Sequence, residues 1–478
     1  MYIKNANELL KKDLNEQQSY LRKIALDALQ KAISAVKPNN LMKNSIKVQN
    51  NILTIQNDEY DLRKYNKIYV IGGGKAAIEM VFSLENILFK LINADYEGII
   101  NAPRASIKNE LLERGKIKIN FASHPIPDEN GVNGTKQMME IIEKSQINDL
   151  ILCLISGGGS ALLSLPKEGI NLKDLQEVNA LLLDSGASIH EINIIRKHVS
   201  DFKGGNLAKK LYHASGATLI SIIISDVVGD KLDSIASGPS VPDTSTFNDA
   251  IKILKQYKIY EKTPISIINY LKKGSMNDNL ENPKDKDVCF NNVHNYIIGS
   301  VKNAVKEVLS FLELHGFESS YFSNKIVGEA RKFGKSLYKI ISQKIREFSK
   351  TDSNGKFALI GSGELTVTIK GKGIGGRNQE MLLSFLDYIN ESGLSYQFSI
   401  ISANLDGIEG NSKAMGALVD NFVLDQVYKN EINTRKYLEN NDSNNFFKLV
   451  ESEIITGATG CNVNDLLLVL LQFNNKLQ

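Results

Sequence analysis

Residues 67–80 read KIYVIGGGKAAIEM and residues 150–163 read LILCLISGGGSALL. Each is a β-rich apolar run that ends in three glycines and then resumes with small, helix-compatible residues. Strands apolar on both faces are buried on both faces. Two more such runs, EGIIN (97–101) and TLISIIIS (218–225), alternate with helix-like stretches at 131–145 and 172–184. That alternation predicts a doubly wound parallel sheet, a Rossmann-like α/β domain.

In such a sheet the carboxyl ends of the strands face the ligand crevice, and the next helix aims its free amides there. Gly157, Gly158 and Gly159 let the backbone approach an anion, and Ser160 adds a hydroxyl donor. A bare strand-to-helix turn is the alternative. Lys75, after Gly73 and Gly74, falls at the mouth of a helix, where a cation is unfavourable unless an anion is bound. It is read as a phosphate or carboxylate ligand. GGGKAA lacks the spacing and the Ser or Thr of a Walker A loop. It does match G-x-G-x-x-A, but the next strand ends on Asn101 where a dinucleotide site carries an acid.

At 478 residues and 42% hydrophobic the chain is long enough for two cores. Its 57 Lys and Arg against 54 Asp and Glu leave a net charge of +3, which points to neither nucleic acid nor a membrane surface. The longest apolar runs fall short of the roughly 20 residues of a bilayer span. Cys153, Cys289 and Cys461 have no metal or redox spacing and read as buried thiols in a reducing cytoplasm.

A helix over residues 21–36 is expected to end at Pro38. The polar stretch 272–287 is the expected linker, giving a Rossmann-like domain at 1–285 and a smaller α/β domain at 286–478. ELTVTIKGKG alternates like an antiparallel edge, so the second sheet is expected to be mixed. Residues 465–473 are left as helix or strand.

INIIRKHVSDFKGGNLA (192–208) collects Arg196, Lys197, His198 and Lys203, either a solvated helix face or an anion site. A buried strand delivers Ser225 and Asp226 to its end, with Asp230 a loop further. These carboxylates suit Mg²⁺ or a base for a hydroxyl proton. His124, in SHPIPDENGVNG, is assigned mainly to a hydrogen-bonded structural role. Arg377 stands among glycines at an expected helix start, where its planar fork suits a phosphoryl group. Asp406 suits a metal or a loop cap.

The phrases GGGKAA, HPIPDENGVNG, SGGGSALL, INIIRKHVSDFKGGNLA, SDVVGDKLDSIASGPSVPD, GELTV, GGRNQE and TGATGCNVNDL stand in this order along nearly the whole chain. In this they resemble the glycerate 2-kinase family, whose C-terminal part is the MOFRL domain. The resemblance implies transfer from ATP, with Mg²⁺, to D-glycerate, in a cleft between the two domains. It places the catalytic lysine on Lys75, the catalytic arginine on Arg377, and the glycine loop on Ser156–Ser160. Asp226 is expected to be catalytic and, with Asp230, to hold metal. Glu364 and Asn378, within GELTV and GGRNQE, join Arg196, Lys203 and Asp406 as expected ligand contacts. D-glycerate and nucleotide are the expected partners, with a homodimer as the assembly considered.

The chain departs from the family at NLDGIEGNSKAMGA. Asn404 and Leu405 replace Gly and Thr, Glu409 an Asp, and Lys413 an acidic residue; Leu365 replaces a Thr and Lys231 an Asp. Two rival readings follow. GGGKAA motivates an NAD(P)H-dependent hydroxypyruvate reductase. The altered 404–413 segment motivates a catalytically impaired protein that binds nucleotide and hydroxy acid.

Overall fold

The computed structural model describes all residues except 1, 11–12, 90–94, 105–114, 349–354, 393–395 and 474–478, and gives no side-chain burial for 390–392. The chain forms two compact units, one of residues 41–298 and one of residues 1–40 with 299–478.

The first unit opens with an antiparallel meander of β1 (Ile46–Gln49), β2 (Ile52–Ile55) and β3 (Asp58–Asp61). Its main sheet holds β4 (Ile68–Gly73), β5 (Tyr96–Ala102), β6 (Ile117–Phe121), β7 (Leu150–Ile155), β8 (Thr218–Ile224) and β9 (Val293–Gly299). The strand order is β6-β5-β4-β7-β8-β9, and β6 through β8 pair in parallel. β4 and β7 are buried along their whole length, which is why neither alternates in sequence. From β4 the chain winds outward to β6, then returns to β7 and winds the other way. The topological switch therefore falls between β4 and β7, whose tips carry the two glycine triplets, and ligands of open α/β sheets bind at such a point.

The expected helices are present as Glu129–Lys144, capped by the Asp128 side chain, and Leu172–Asp184, capped by Asn171. One core covers the face of the sheet that carries Ile71, Ile151, Cys153 and Leu219, with Phe202, Leu207 and Phe247 among its members.

The division of the chain differs from the expected break at 285/286. Residues 293–299, assigned above to the C-terminal domain, form β9 of the first sheet. The polar stretch before it is tied down by its own side chains. Asn282 Nδ2 donates to Asp243 Oδ2 at 2.9 Å, and Lys284 Nζ donates to the Asp243 and Ser245 carbonyls at 2.9 and 2.6 Å. Polarity marks a linker only when its groups are solvated, and these are bonded to protein.

The first 40 residues join the second unit. Helix Glu16–Ala35 starts at an Asn15–Gln18 capping box and packs on helix Val301–Leu314. Its Arg22 is fully buried and gives both oxygens of Asp420 a hydrogen bond of 2.8 Å. Pro38 opens the next helix, Pro38–Ser45, at the position where a missing N–H costs nothing.

The second sheet holds β10 (Glu318–Glu329), β11 (Lys356–Thr366), β12 (Gln397–Asn404), β13 (Gly416–Asp420), β14 (Glu453–Ile454) and β15 (Asp465–Gln472), in the order β10-β11-β15-β12-β13-β14. β10 and β11 are parallel and the remaining pairs antiparallel, so the sheet is mixed as expected. β11 is interior up to Gly363. Beyond it β15 ends, and Glu364–Thr366 pair with β10 alone, a parallel edge where an antiparallel one was expected. The undecided segment is β15, in mid-sheet, buried from Asp465 to Leu471. Among the described residues no helix is long and apolar enough to cross a membrane, and the three cysteines are buried and unbridged.

Candidate functional site

In the first unit Gly73 on β4 pairs with Ile155 on β7, so the turns that follow are neighbours. They are stitched together. The Lys75 N–H donates to the Gly157 carbonyl at 2.9 Å, the Ser156 N–H to the Gly73 carbonyl at 3.3 Å, and the Ala76 N–H to Ser156 Oγ at 3.0 Å. Ser156 is fully buried, so its hydroxyl braces one turn against the other. Gly74 is required by the same closeness: at φ +149° a Cβ there would sit 2.1 Å from Ser156 Oγ.

Helix Ala77–Leu88 leaves its first amides near this point with no side-chain cap, and Lys75, just before it, is exposed. The helix after the second triplet is one turn, Gly159–Leu162, so its dipole is small and the backbone amides themselves are the relevant donors. Gly158 starts that turn at φ +82°. A Cβ on it would lie 3.0 Å from Cδ2 and Nε2 of His124 and 3.2 Å from Lys75 Cγ. The imidazole, the lysine stem and the turn thus occupy one place. His124 has no hydrogen-bond partner among the described residues, unlike the structural histidine expected. Burial, and then the charge of Lys75, lower its pKa below the usual 6.5.

The cation cluster is not a solvated face. Lys197 is buried against Asp233 and Asp243, each at 3.4 Å, and His198 meets Glu281 at 3.0 Å; both are structural. Arg196 and Lys203 differ from them. Arg196 Nε donates to Asn179 Oδ1 at 2.8 Å. Lys203, 3% exposed, donates to the Leu163 carbonyl at 3.1 Å and has no carboxylate partner among the described residues. Burial, aided by the Arg196 charge, pushes its pKa down to about 7. Ser160 Oγ lies 2.9 Å from Ser237 Oγ, which donates to Asn193 Oδ1 at 3.2 Å, one helical turn before Arg196. Asn193 and Ser237 were missed in the sequence; the i−3 spacing from Arg196 was the available signal.

Asp226 and Asp230 lie half-buried on the loop after β8, with Ser225 Oγ accepting the Val227 N–H at 3.3 Å. Asn101, at the tip of β5, is buried. Its amide donates to the Gly131 and Leu162 carbonyls and to Thr135, and its carbonyl accepts from Asn120. It is structurally committed where a dinucleotide site places its ribose-binding acid.

In the second unit Arg377 opens helix Arg377–Ser392. Its Nε and Nη2 form a fork on Asp465 at 2.6 and 2.9 Å, and its Nη1 meets Glu364 Oε1 at 2.6 Å. Asp465 is buried; Glu364 is about half exposed. Glu409 accepts the Asn378 and Gln379 backbone N–H groups at 2.8 and 3.0 Å, capping the helix, and both side-chain amides as well. Burial, opposed by those bonds, pushes its pKa up to about 7, with the Asp465 charge adding to the rise. Asn378 is buried and accepts from Ser402 at 2.5 Å, so its side chain serves this network. Asp406 Oδ1 accepts the Val463 N–H at 3.2 Å, holding the 457–464 loop. The sequence singled out Arg377 and Glu364 but missed Asp465, which the phrase TGATGCNVNDL contained.

The MOFRL family model matches residues 357–465, and a model described as a domain of unknown function, DUF4147, matches 24–272. The glycerate 2-kinase of Pyrococcus horikoshii is 37% identical over 94% of this chain and 97% of its own length. The D-glycerate 2-kinase of Thermotoga maritima is 34% identical over 94% of this chain and 98% of its own. A crystal structure of glycerate kinase from Thermotoga maritima matches with a TM-score of 0.77 at 34% identity, over 95% of this chain and 100% of that one.

Proposed function

Since this chain belongs to the glycerate 2-kinase family, we propose that it transfers the γ-phosphoryl group of ATP to the 2-hydroxyl of D-glycerate, giving 2-phosphoglycerate and ADP. The observation that carries this reading is the pair of stitched glycine turns at the β4–β7 switch point, with Lys75 exposed above them. The 157–160 turn brings its backbone close to anionic oxygens, and Lys75 neutralises charge on the moving phosphoryl group. Arg196 and Lys203 supply positive charge for the glycerate carboxylate. A buried ammonium without a carboxylate partner is costly until an anion arrives.

The reading keeps Arg377 as a catalytic cation whose planar fork suits a phosphoryl group. Glu364, the exposed partner, then yields Nη1 to the phosphate while Asp465 keeps the fork in place. Mg²⁺ takes one or two carboxylates beside substrate phosphates and keeps several waters, which Asp226 and Asp230 fit; no cluster of three or more acidic, His or Cys side chains able to hold a metal occurs among the described residues. When bound, Mg²⁺ neutralises phosphate charge. The chain's own part is positioning and electrostatics.

ADP release with D-glycerate, read beside nicotinamide absorbance with hydroxypyruvate, tests the proposal. The kinase reading expects ADP and a flat nicotinamide trace; oxidation of NAD(P)H without ADP would replace it with the reductase.

A further inference from the structure

His124, in HPIPDENGVNG, is left unused by the roles above. Its ring stands against the Gly158 backbone and the Lys75 stem, at the tips of β4 and β7 where the reading places the reaction. A histidine held for structure is normally hydrogen-bonded, as His198 is at both ring nitrogens. His124 is half-buried and has no such bond among the described residues.

We infer that His124 is the general base of the transfer, accepting the proton of the glycerate 2-hydroxyl. The inference rests on the kinase reading. As the hydroxyl oxygen forms its bond to the γ-phosphorus, the bond from that phosphorus to the ADP oxygen breaks. The hydroxyl proton passes to a ring nitrogen of His124, and the imidazolium later loses it to solvent. No further reactant is needed.

A base must be neutral before the step and within reach of the proton. The first requirement follows from the surroundings. Lys75, from the turn after β4, is the charged group whose field acts on the ring, and with burial it favours the neutral form. The 157–160 turn brings no titratable group. Asp128, on the histidine's own loop, has its Oδ1 engaged by the Gly131 N–H at 2.9 Å. Among the described residues, burial and the Lys75 charge both disfavour an imidazolium in the resting protein.

The test compares the full-length wild type with His124→Gln, measuring ADP release against pH at saturating ATP-Mg²⁺ and D-glycerate. Wild-type kcat should fall with unit slope below a pKa under 6.5. His124→Gln should lose on the order of 100-fold in kcat and lack that limb. Its KM for ATP should stay within about threefold and its circular dichroism should be unchanged. Added imidazole should restore part of the rate to His124→Gly, an effect that a purely structural role would not produce.

A folded His124→Gln with near-normal kcat, or one that keeps the acidic limb, overturns the inference alone. So does a wild type whose rate falls as pH rises through the His124 pKa, since the ring would then act as a donor. Should His124→Gln fail to fold, the wild-type profile decides, and a rate that stays flat down to the acid limit of the folded protein overturns it. A wild type inactive on ATP and D-glycerate overturns the kinase reading, and this inference with it.

Discussion

Arg377 and Lys203 are both cations that sequence reasoning assigned to ligand binding, and the structure holds them in opposite ways. Arg377 is fully balanced by Asp465 and Glu364. Truncation to alanine would leave Asp465 buried and unpaired, at a cost of about 3–5 kcal/mol, and would confuse folding with catalysis. Arg377→Lys is the cleaner probe: charge remains but the fork is lost. Turnover should fall about 100-fold while the KM for D-glycerate moves less than about threefold. Unchanged turnover would remove the guanidinium from the reaction. Lys203 has no carboxylate partner among the described residues, and burial, aided by the Arg196 charge, lowers its pKa from 10.5 to about 7 in the folded chain. Between pH 7 and 10.5 the unfolded chain therefore binds more protons at this group, and unfolding free energy gains with rising pH. Thermal melts should show wild type gaining on Lys203→Met across that window. At pH 7 D-glycerate should stabilise wild type more than the variant. Parallel melts with and without glycerate would contradict both points. The residue types were legible in the motifs GGRNQE and DFKGG. Their partners were not, since Asp465 lies 88 positions from Arg377 and no local rule links them.

The glycine turns are the elements where sequence and structure agree most closely. Apolar runs ending in glycine fixed β4, β7 and their neighbours to within two residues, because buried parallel strands tolerate little else. The reason for the glycines was only partly legible. Gly74 answers the neighbouring turn, and Gly158 answers both a left-handed backbone and the side chains of His124 and Lys75. Gly158→Ala should cost about 1–2 kcal/mol of backbone strain. It should also displace His124 and Lys75, lowering turnover at least tenfold. Gly186→Ala is the matched control: φ is +75° and no atom lies within 4 Å of its Cβ. It should lose stability to a similar degree in urea melts and keep its turnover. Equal activity in the two variants would show that the 157–160 turn does not organise the site.

For the whole molecule the chain's two units and their mixed and parallel sheets were readable from hydrophobic pattern, whereas their border was not. Residues 272–287 look like a linker because they are polar, yet Asp243 and Ser245 bind them into the first unit. The helix at Glu16–Ala35 belongs to the distant C-terminal sheet through Arg22 and Asp420, 398 positions apart. Periodicity reports which face of an element is buried but never against what. The claim made for this chain is chemical. Phosphorus NMR of the full chain with ATP-Mg²⁺ and D-glycerate examines that claim most directly. The account predicts loss of the ATP γ-resonance and growth of one phosphomonoester signal coincident with authentic 2-phosphoglycerate. A signal matching 3-phosphoglycerate, inorganic phosphate alone, or an unchanged ATP spectrum would contradict it.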